Sequence, residues 1–256
     1  MDNKKIYEQF NWEKLQTADL KEKTNLVFEF LPADVKTILD VGCGNGVITN
    51  ELAKKYDVTA VDRSSAALKY VNTKKIQSGA DQIPLPDKSF DLVFSSELLE
   101  HLEDDVLKKT INEIKRLSKR YVFITVPNAE NPNKLAIKCT KCNYVFNRPN
   151  HLRSFKSKDI RSLFSDYDVV KTGVFGKKVR YYNNALLSAK KKITPSTAWI
   201  PYYWISKEKR NAVCPRCEHS FSYPYKFNML SSAIDMINVA LSPKKPYWLF
   251  VVLKQK

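Results

Sequence analysis

The sequence contains no apolar run approaching the roughly 20 residues that a membrane-crossing helix needs; the longest, YWLFVVL, covers only 247–253. A transmembrane helix is excluded on that ground. Nor does it open on a basic, apolar, small-residue leader, since MDNKKIYEQF is polar. A cytoplasmic location with reduced thiols is therefore expected. Histidine is scarce, with three in 256 residues, which leaves few imidazoles to serve as a general base. Five cysteines are present, and in a reducing compartment they point to metal or chemistry before disulfides. A chain of this length builds a core without covalent staples, so any metal is a local feature.

Acidic residues are short in one half only. Residues 1–128 carry 19 Lys plus Arg against 20 Asp plus Glu, whereas residues 129–256 carry 24 against 7, about +17 of the net +16. Basic clusters stand at Lys177 and Lys178, Lys190 to Lys192, and Lys207 to Arg210. Such a half is either a solvated lysine-rich surface or a field that gathers nucleic acid, acidic lipid or phosphorylated substrates.

The stretch KTILDVGCGNGVITNELAKKY predicts a buried strand over Thr37 to Val41, a glycine turn, and a helix with Ile48, Leu52 and Tyr56 on one face. Glycines 42, 44 and 46 allow close backbone approach to a ligand and aim amides of the next helix at it. A second strand, VTAVD, ends at Asp62, twenty residues beyond Gly42, where a carboxylate can accept ribose hydroxyls. Val47 occupies the third glycine position of the dinucleotide fingerprint, and Asp40 would repel a pyrophosphate, so a cationic nucleoside fits better than NAD.

The string Asp40, Gly42, Gly44, Gly46 resembles the acid-x-Gly-x-Gly-x-Gly loop of the class I S-adenosylmethionine-dependent methyltransferases. LPDKSFDLV with EHL is similar to the branch rich in small-molecule methyltransferases, and the resemblance covers about residues 35–130 well. It implies a cofactor site of Asp40, Gly42, Cys43, Gly44 and Gly46, with Asp62 on the ribose and Arg63 beside the adenine. Ala80, Asp81 and Gln82 would border the adenine, and Ser95 and Glu97 would close the site at the fourth strand. Cys43 is assigned no chemistry there. The implied fold is α/β, a doubly wound, seven-stranded, mostly parallel Rossmann-like sheet whose last strand, YWLFVVLKQ, is antiparallel. The expected organisation is a cofactor-binding domain over 1–174 and 246–256, with a basic, zinc-stapled cap over 175–245 inserted before the last strand and joined to a knuckle at 134–150. In related enzymes an N-terminal aromatic segment folds over the cofactor, so Tyr7, Phe10 and Trp12 are candidates for a lid or for a helix on the sheet edge.

CTKCNYVFNRP at 139 and CPRCEHSFSYP at 214 share Cys-x-x-Cys-x-x-x-Phe-x-x-Pro. Two such knuckles offer four thiolates, Cys139, Cys142, Cys214 and Cys217, to one tetrahedral zinc. A closed four-thiolate site has no open coordination position and is structural; two free thiol pairs are the alternative. The 71 intervening residues are no obstacle, because loop-closure entropy grows only logarithmically. His219 is expected on the knuckle surface.

Methyl transfer from a sulfonium depends mostly on alignment. A hydroxyl acceptor gains from a base, for which His151 and His101 are the candidates; His151 resembles a histidine common in sugar and lipid-quinone methyltransferases, and it also suits a helix cap. SSELLEHL replaces the Asn/Asp-Pro-Pro-aromatic motif of base amino-methylation, and no Pro-Cys nucleophile stands at that strand end or the next. The expected acceptor is a small, glycan-like or lipid-linked molecule, anionic to suit the basic half. An RNA substrate, peripheral contact with an anionic membrane, and a non-catalytic cofactor-binding scaffold stay open. The aromatic stretch at Trp199, Tyr202, Tyr203 and Trp204 is expected to be cap core, a sugar or isoprenoid platform, or an interfacial anchor. A helical stripe of Leu230, Ala233, Ile234, Ile237, Ala240 and Leu241 is expected to pack on the sheet.

Overall fold

The computed structural model describes residues 4–8, 10–15 and 18–256. The chain divides into two compact units that alternate along the sequence. One holds Tyr7–Asn128, Phe155–Lys177 and Pro246–Lys256; the other holds Ala129–Ser154 and Lys178–Lys245, with the described residues up to Ile6.

The first unit is built on one sheet, preceded by α1 (Lys4–Glu8) and α2 (Ala18–Phe30). Its strands are β1 (Thr37–Val41), β2 (Asp57–Asp62), β3 (Lys74–Gln77), β4 (Phe90–Ser96) and β5 (Ser118–Pro127). The helices α3 (Val47–Leu52), α4 (Ser65–Leu68) and α5 (Asp104–Leu117) connect them. Ile38, Leu39, Val41, Leu92 and Val93 are fully buried, and adjacent buried residues such as Ile38 and Leu39 mark strands covered on both faces. Apolar clusters accordingly form on both sides of the sheet. α5 shows why its sequence is helical: Leu107, Ile111, Ile114 and Leu117 recur on one buried face. Asp104 and Asp105 in its first turn and Lys115 and Arg116 in its last complement the helix dipole. Burying each of those large side chains contributes about 1.5–3 kcal/mol. α3 is shorter than its pattern implied, because it ends at Leu52 and leaves Tyr56 in the following turn.

Further along the chain come β6 (Ala136–Lys138), β7 (Val145–Asn147), α6 (Ser157–Leu163), β8 (Tyr167–Arg180), α7 (Asn184–Ile193), β9 (Asn211–Val213), β10 (Ser220–Ser222), α8 (Met229–Leu241) and β11 (Lys244–Gln255). Among the described residues the main sheet has seven strands in the order β3-β2-β1-β4-β5-β11-β8. β1 pairs with β2 and β4 in parallel, β4 with β5 in parallel, and β11 runs antiparallel to β5, with Trp248 opposite Pro127 and Lys254 opposite Tyr121. The strand order reverses between β1 and β4. Ligands of open α/β sheets bind beyond the strand carboxyl ends at such a reversal.

The second unit contains two small hairpins, β6 with β7 and β9 with β10, and the helices α7 and α8. α8 departs from its expected packing. Of its apolar stripe only Ile234 is buried, while Leu230, Ile237 and Leu241 are exposed. The cause lies on its other face, where Ser231, Asp235 and Asn238 are buried and hydrogen-bonded. Residues 199–204 divide between core and surface: Ile200 is buried and Trp204 packs beside it, whereas Tyr202 and Tyr203 are exposed.

Candidate functional site

In the sheet unit, the expected cofactor residues gather at the carboxyl ends of β1, β2 and β4. Asp40 is buried near the end of β1, and its Oδ2 accepts a hydrogen bond from Thr49 Oγ1 at 2.6 Å. Its Oδ1 has no hydrogen-bond partner among the described residues. Burial pushes the Asp40 carboxyl up to about 7, with the Asp62 charge adding to the rise and Thr49 and Lys23 opposing it. A buried carboxylate oxygen left unpaired is costly unless something supplies the missing partner.

The glycine turn follows. Gly42 (φ 77°) and Gly44 (φ 53°) take the left-handed backbone. A Cβ on Gly42 would come within 2.9 Å of Leu98, and one on Gly44 within 2.9 Å of the Trp12 ring. The N–H of Gly44 donates to Asp62 Oδ2 and that of Ser64 to Asp62 Oδ1, each at 2.8 Å. Both oxygens are thereby oriented, each with a lone pair left for a further donor. Burial raises the Asp62 pKa, while the Ser64 and Gly44 amides oppose the rise. Cys43 lies in the turn, its N–H bonded to the carbonyl of Val61, and burial with two nearby carboxylates pushes its thiol far up, which disfavours the thiolate. Gly46 caps the start of α3.

Arg63 and Ala80 to Gln82 follow β2 and β3. Burial lowers the Arg63 pKa and the Asp81 charge raises it, which makes the two electrostatic neighbours. Ala80 packs on the core, and Gln82 is exposed with its carbonyl accepting from Ser78 Oγ at 2.6 Å. Ser95 Oγ donates to the carbonyl of Val41 at 3.1 Å and so ties β4 to β1. Glu97, at φ 54°, carries the surprise of the site: its carboxylate lies 3.0 Å from Nζ of Lys23, a fully buried lysine on α2 that also stands 4.9 Å over the Trp248 ring. Nothing in the sequence marked Lys23, because KEKTN has the composition of a solvated helix face. Asp40, Asp62, Asp81 and Glu97 thus outnumber Lys23 and Arg63. A site so charged favours a ligand of net positive charge.

The N-terminal segment reaches this turn. Asn45 Nδ2 donates to the Trp12 carbonyl at 2.7 Å, Trp12 Nε1 donates to the Tyr7 carbonyl at 2.7 Å, and the Glu8 carboxylate accepts from the backbone N–H groups of Ser65 and Ala66. Phe10 is exposed with its ring 5.0 Å from that of Trp12. His101 ends a short 3-10 turn after β4, edge-on to the Tyr7 ring at 6.0 Å, with Nε2 3.8 Å from Glu100.

In the second unit, the cysteines converge. The Sγ atoms of Cys139, Cys142, Cys214 and Cys217 all lie within 4.8 Å of one another. Cys139 is 3.7 Å from Cys217 and Cys142 is 3.6 Å from Cys214. A tetrahedral zinc with bonds of about 2.3 Å sets its sulfurs about 3.8 Å apart, while a disulfide needs about 2.05 Å. The two turns repeat each other. Cys139 N–H donates to Tyr144 O and Cys214 N–H to His219 O; Asn143 and Glu218 return a bond to the first cysteine of each turn and share a positive φ, 60° and 57°. His219 stacks on Phe221 and is absent from the sulfur cluster. Ile137, Phe146, Ile200 and Tyr223 form a small core around the thiols.

His151 also belongs to this unit. It is buried, its N–H donates to Asn147 Oδ1 at 3.0 Å, and its Nδ1 is hydrogen-bonded to the Glu130 carboxylate. A neutral imidazole that donates from Nδ1 to this carboxylate carries its lone pair on Nε2. Glu130 was not a candidate by sequence, since it lies 21 residues away with no spacing to connect them.

Residues 39–124 match the family described as Methyltransferase domain. The chain is 27% identical over 151 residues to a probable S-adenosylmethionine-dependent methyltransferase of Mycobacterium tuberculosis, covering 55% of this chain and 52% of that protein. It is 30% identical over 144 residues to a ubiquinone biosynthesis O-methyltransferase of Photobacterium profundum, covering 46% and 60%. The chain thus spans about half to three-fifths of these relatives' lengths. The fold is similar to a crystal structure of a SAM-dependent methyltransferase from Archaeoglobus fulgidus, with a TM-score of 0.56, 18% identity and 92% and 93% of the two chains covered. The chain therefore has an α/β, Rossmann-like fold with a seven-stranded, mostly parallel sheet like that of SAM-dependent methyltransferases, and its residues 39–124 match a methyltransferase domain.

Proposed function

We propose that the protein transfers a methyl group from S-adenosylmethionine to oxygen of a small, glycan-like or lipid-linked acceptor that carries negative charge. The observation that carries this reading is the excess of carboxylates around the glycine turn, with Asp40 Oδ1 unpaired and Asp62 braced by two amides. The cofactor supplies an activated methyl group on a positive sulfur. Asp62 would accept the ribose hydroxyls, Asp81 the adenine amine, and Asp40 would face the cationic end. The ubiquinone O-methyltransferase among the relatives supports an oxygen acceptor, and the cationic half supports an anionic one. Labelled-methyl transfer into fractionated cell extract tests the assignment. Label in lipid-linked or saccharide material agrees with it; label in RNA, with salt-sensitive binding, replaces it with the RNA reading that a half of about +17 also favours. Cofactor binding without turnover on any fraction would make the protein a scaffold.

Cofactor affinity is expected to rise with pH. A cation binds the ionised form of Asp40, whose pKa without ligand is about 7. Affinity at pH 6 should therefore be about tenfold weaker than at pH 8, measured by calorimetry, and the dependence should vanish in Asp40→Asn. Stability of the ligand-free protein runs the other way. Because the folded pKa is raised, this group's contribution is complete below the ordinary carboxylate range and is lost as pH climbs through about 7.

His151 is the base in this reading, with Glu130 as its positioning residue. His151→Ala is expected to lower kcat by about 10²–10⁴ on a hydroxyl acceptor. Glu130→Gln should cost less and shift the pH profile, and neither should change cofactor affinity. An unaltered kcat in His151→Ala would remove the histidine from the chemistry. The four cysteines hold a structural zinc in the same reading, supported by sulfur spacings of 3.6 and 3.7 Å.

A further inference from the structure

α8 is inverted relative to an ordinary surface helix. Met229 is 79% exposed, Met236 73%, Leu241 69%, and Leu230 and Ile237 about half. Ala233 and Ala240, also exposed, fill the line between them. At 3.6 residues per turn these seven positions share an arc of about 140°. Phe227, 74% exposed, extends the apolar surface just before the helix. Half to four-fifths exposure of so many large side chains leaves on the order of several hundred Å² of apolar surface in water, the size of patch that on a monomer often marks an interaction site.

The helix cannot roll to hide this stripe, because its polar face is locked inward. Lys190 Nζ bonds both Asp235 oxygens at 2.6 and 2.7 Å, and Tyr203 donates to the same carboxylate at 3.0 Å. Ser231 Oγ donates to the Ala198 carbonyl at 2.8 Å, and Asn238 Oδ1 accepts the N–H of Asn183 at 2.6 Å. Rotation would leave a buried ion pair and several amides unpaired, at a cost larger than the apolar burial returns.

We infer that this face docks on an anionic membrane surface. The helix is 13 residues, about 20 Å, too short to span a bilayer but suited to lying along its interface. Exposed Lys226 stands just before the helix, and exposed Lys244 and Lys245 just after it. The one acid on α8, Asp235, is buried against Lys190, so the docking face presents no carboxylate to lipid headgroups. Residues 178–245 hold 12 Lys plus Arg against 3 acids. The same charge argues against a second copy on this face, since two chains of net +16 repel. Acidic headgroups match the rim, and acyl chains match the stripe.

Vesicle co-sedimentation of the full chain tests the inference, with phosphatidylcholine alone and with phosphatidylglycerol added. Wild type is expected to sediment with the anionic vesicles, less so at high salt. Met236→Gln with Leu241→Gln should weaken this at least about tenfold at an unchanged melting temperature. Lys244→Gln and Lys245→Gln should each weaken it about fivefold on anionic vesicles and leave neutral vesicles unaffected. No sedimentation of wild type, equal sedimentation of the Met236 and Leu241 variant, or a concentration-dependent dimer that this variant dissolves would each overturn it. The outcome is independent of which acceptor is methylated.

Discussion

Asp62→Ala is expected to weaken S-adenosylmethionine binding by about a hundredfold or more. Hydrogen bonds to a charged acceptor contribute about 1.5–3 kcal/mol each, and in the proposed reading this carboxylate takes two from the ribose. It also holds the glycine turn, since Gly44 and Ser64 donate to its two oxygens at 2.8 Å. The alanine variant therefore loses ligand contacts and turn order together. Asp62→Asn separates these effects: the amide keeps one acceptor and one amide bond, so a loss of about tenfold is expected. Calorimetric titration of both variants, with circular dichroism to verify the fold, measures the series. Undiminished affinity in Asp62→Ala would move the nucleoside away from this turn and undo the site.

Removal of the proposed zinc should have the larger structural effect. Stripping the metal with a strong chelator, or replacing Cys214 with serine, is expected to unfold the unit built from Ala129–Ser154 and Lys178–Lys245. Among the described residues the apolar cluster of that unit is the small one around the thiols, and a core of such size seldom holds without a staple. Structural zinc contributes about 10–16 kcal/mol in isolated fingers, so a loss on the order of 5 kcal/mol or more is expected here. Purified protein should contain about one zinc per chain, with the metal lost in Cys139→Ser and Cys214→Ser and retained in Cys43→Ser, whose thiol is outside the cluster. The sheet unit has its own two apolar clusters and should melt separately. A metal-free native protein with a single unchanged transition would refute the staple.

The predicted strands and the glycine turn emerge where their patterns place them, because burial on both faces puts adjacent apolar residues in β1 (Ile38 and Leu39) and β4 (Leu92 to Phe94). The cysteine repeat was equally legible: two identical spacings fold into two identical turns, down to the positive φ of Asn143 and Glu218. α8 shows the limit. Its seven exposed apolar positions have the periodicity of a buried stripe, and periodicity states which residues share a face but not which face meets solvent. The decision came from Asp235, Ser231 and Asn238, whose partners Lys190, Ala198 and Asn183 lie 33 to 55 residues earlier.

By itself the sequence determined the main strands and helices of the sheet unit, the acids at the strand ends, the cysteine quartet and the cationic second half, since spacing, period and composition are properties of neighbours along the chain. Tertiary structure alone decided that Lys23 is buried against Glu97, that Glu130 is hydrogen-bonded to His151, that burial pushes the Asp40 carboxyl up to about 7 and that α8 turns its apolar side outward. Those outcomes depend on desolvation and on partners distant in sequence, and both come into being only when the chain closes on itself.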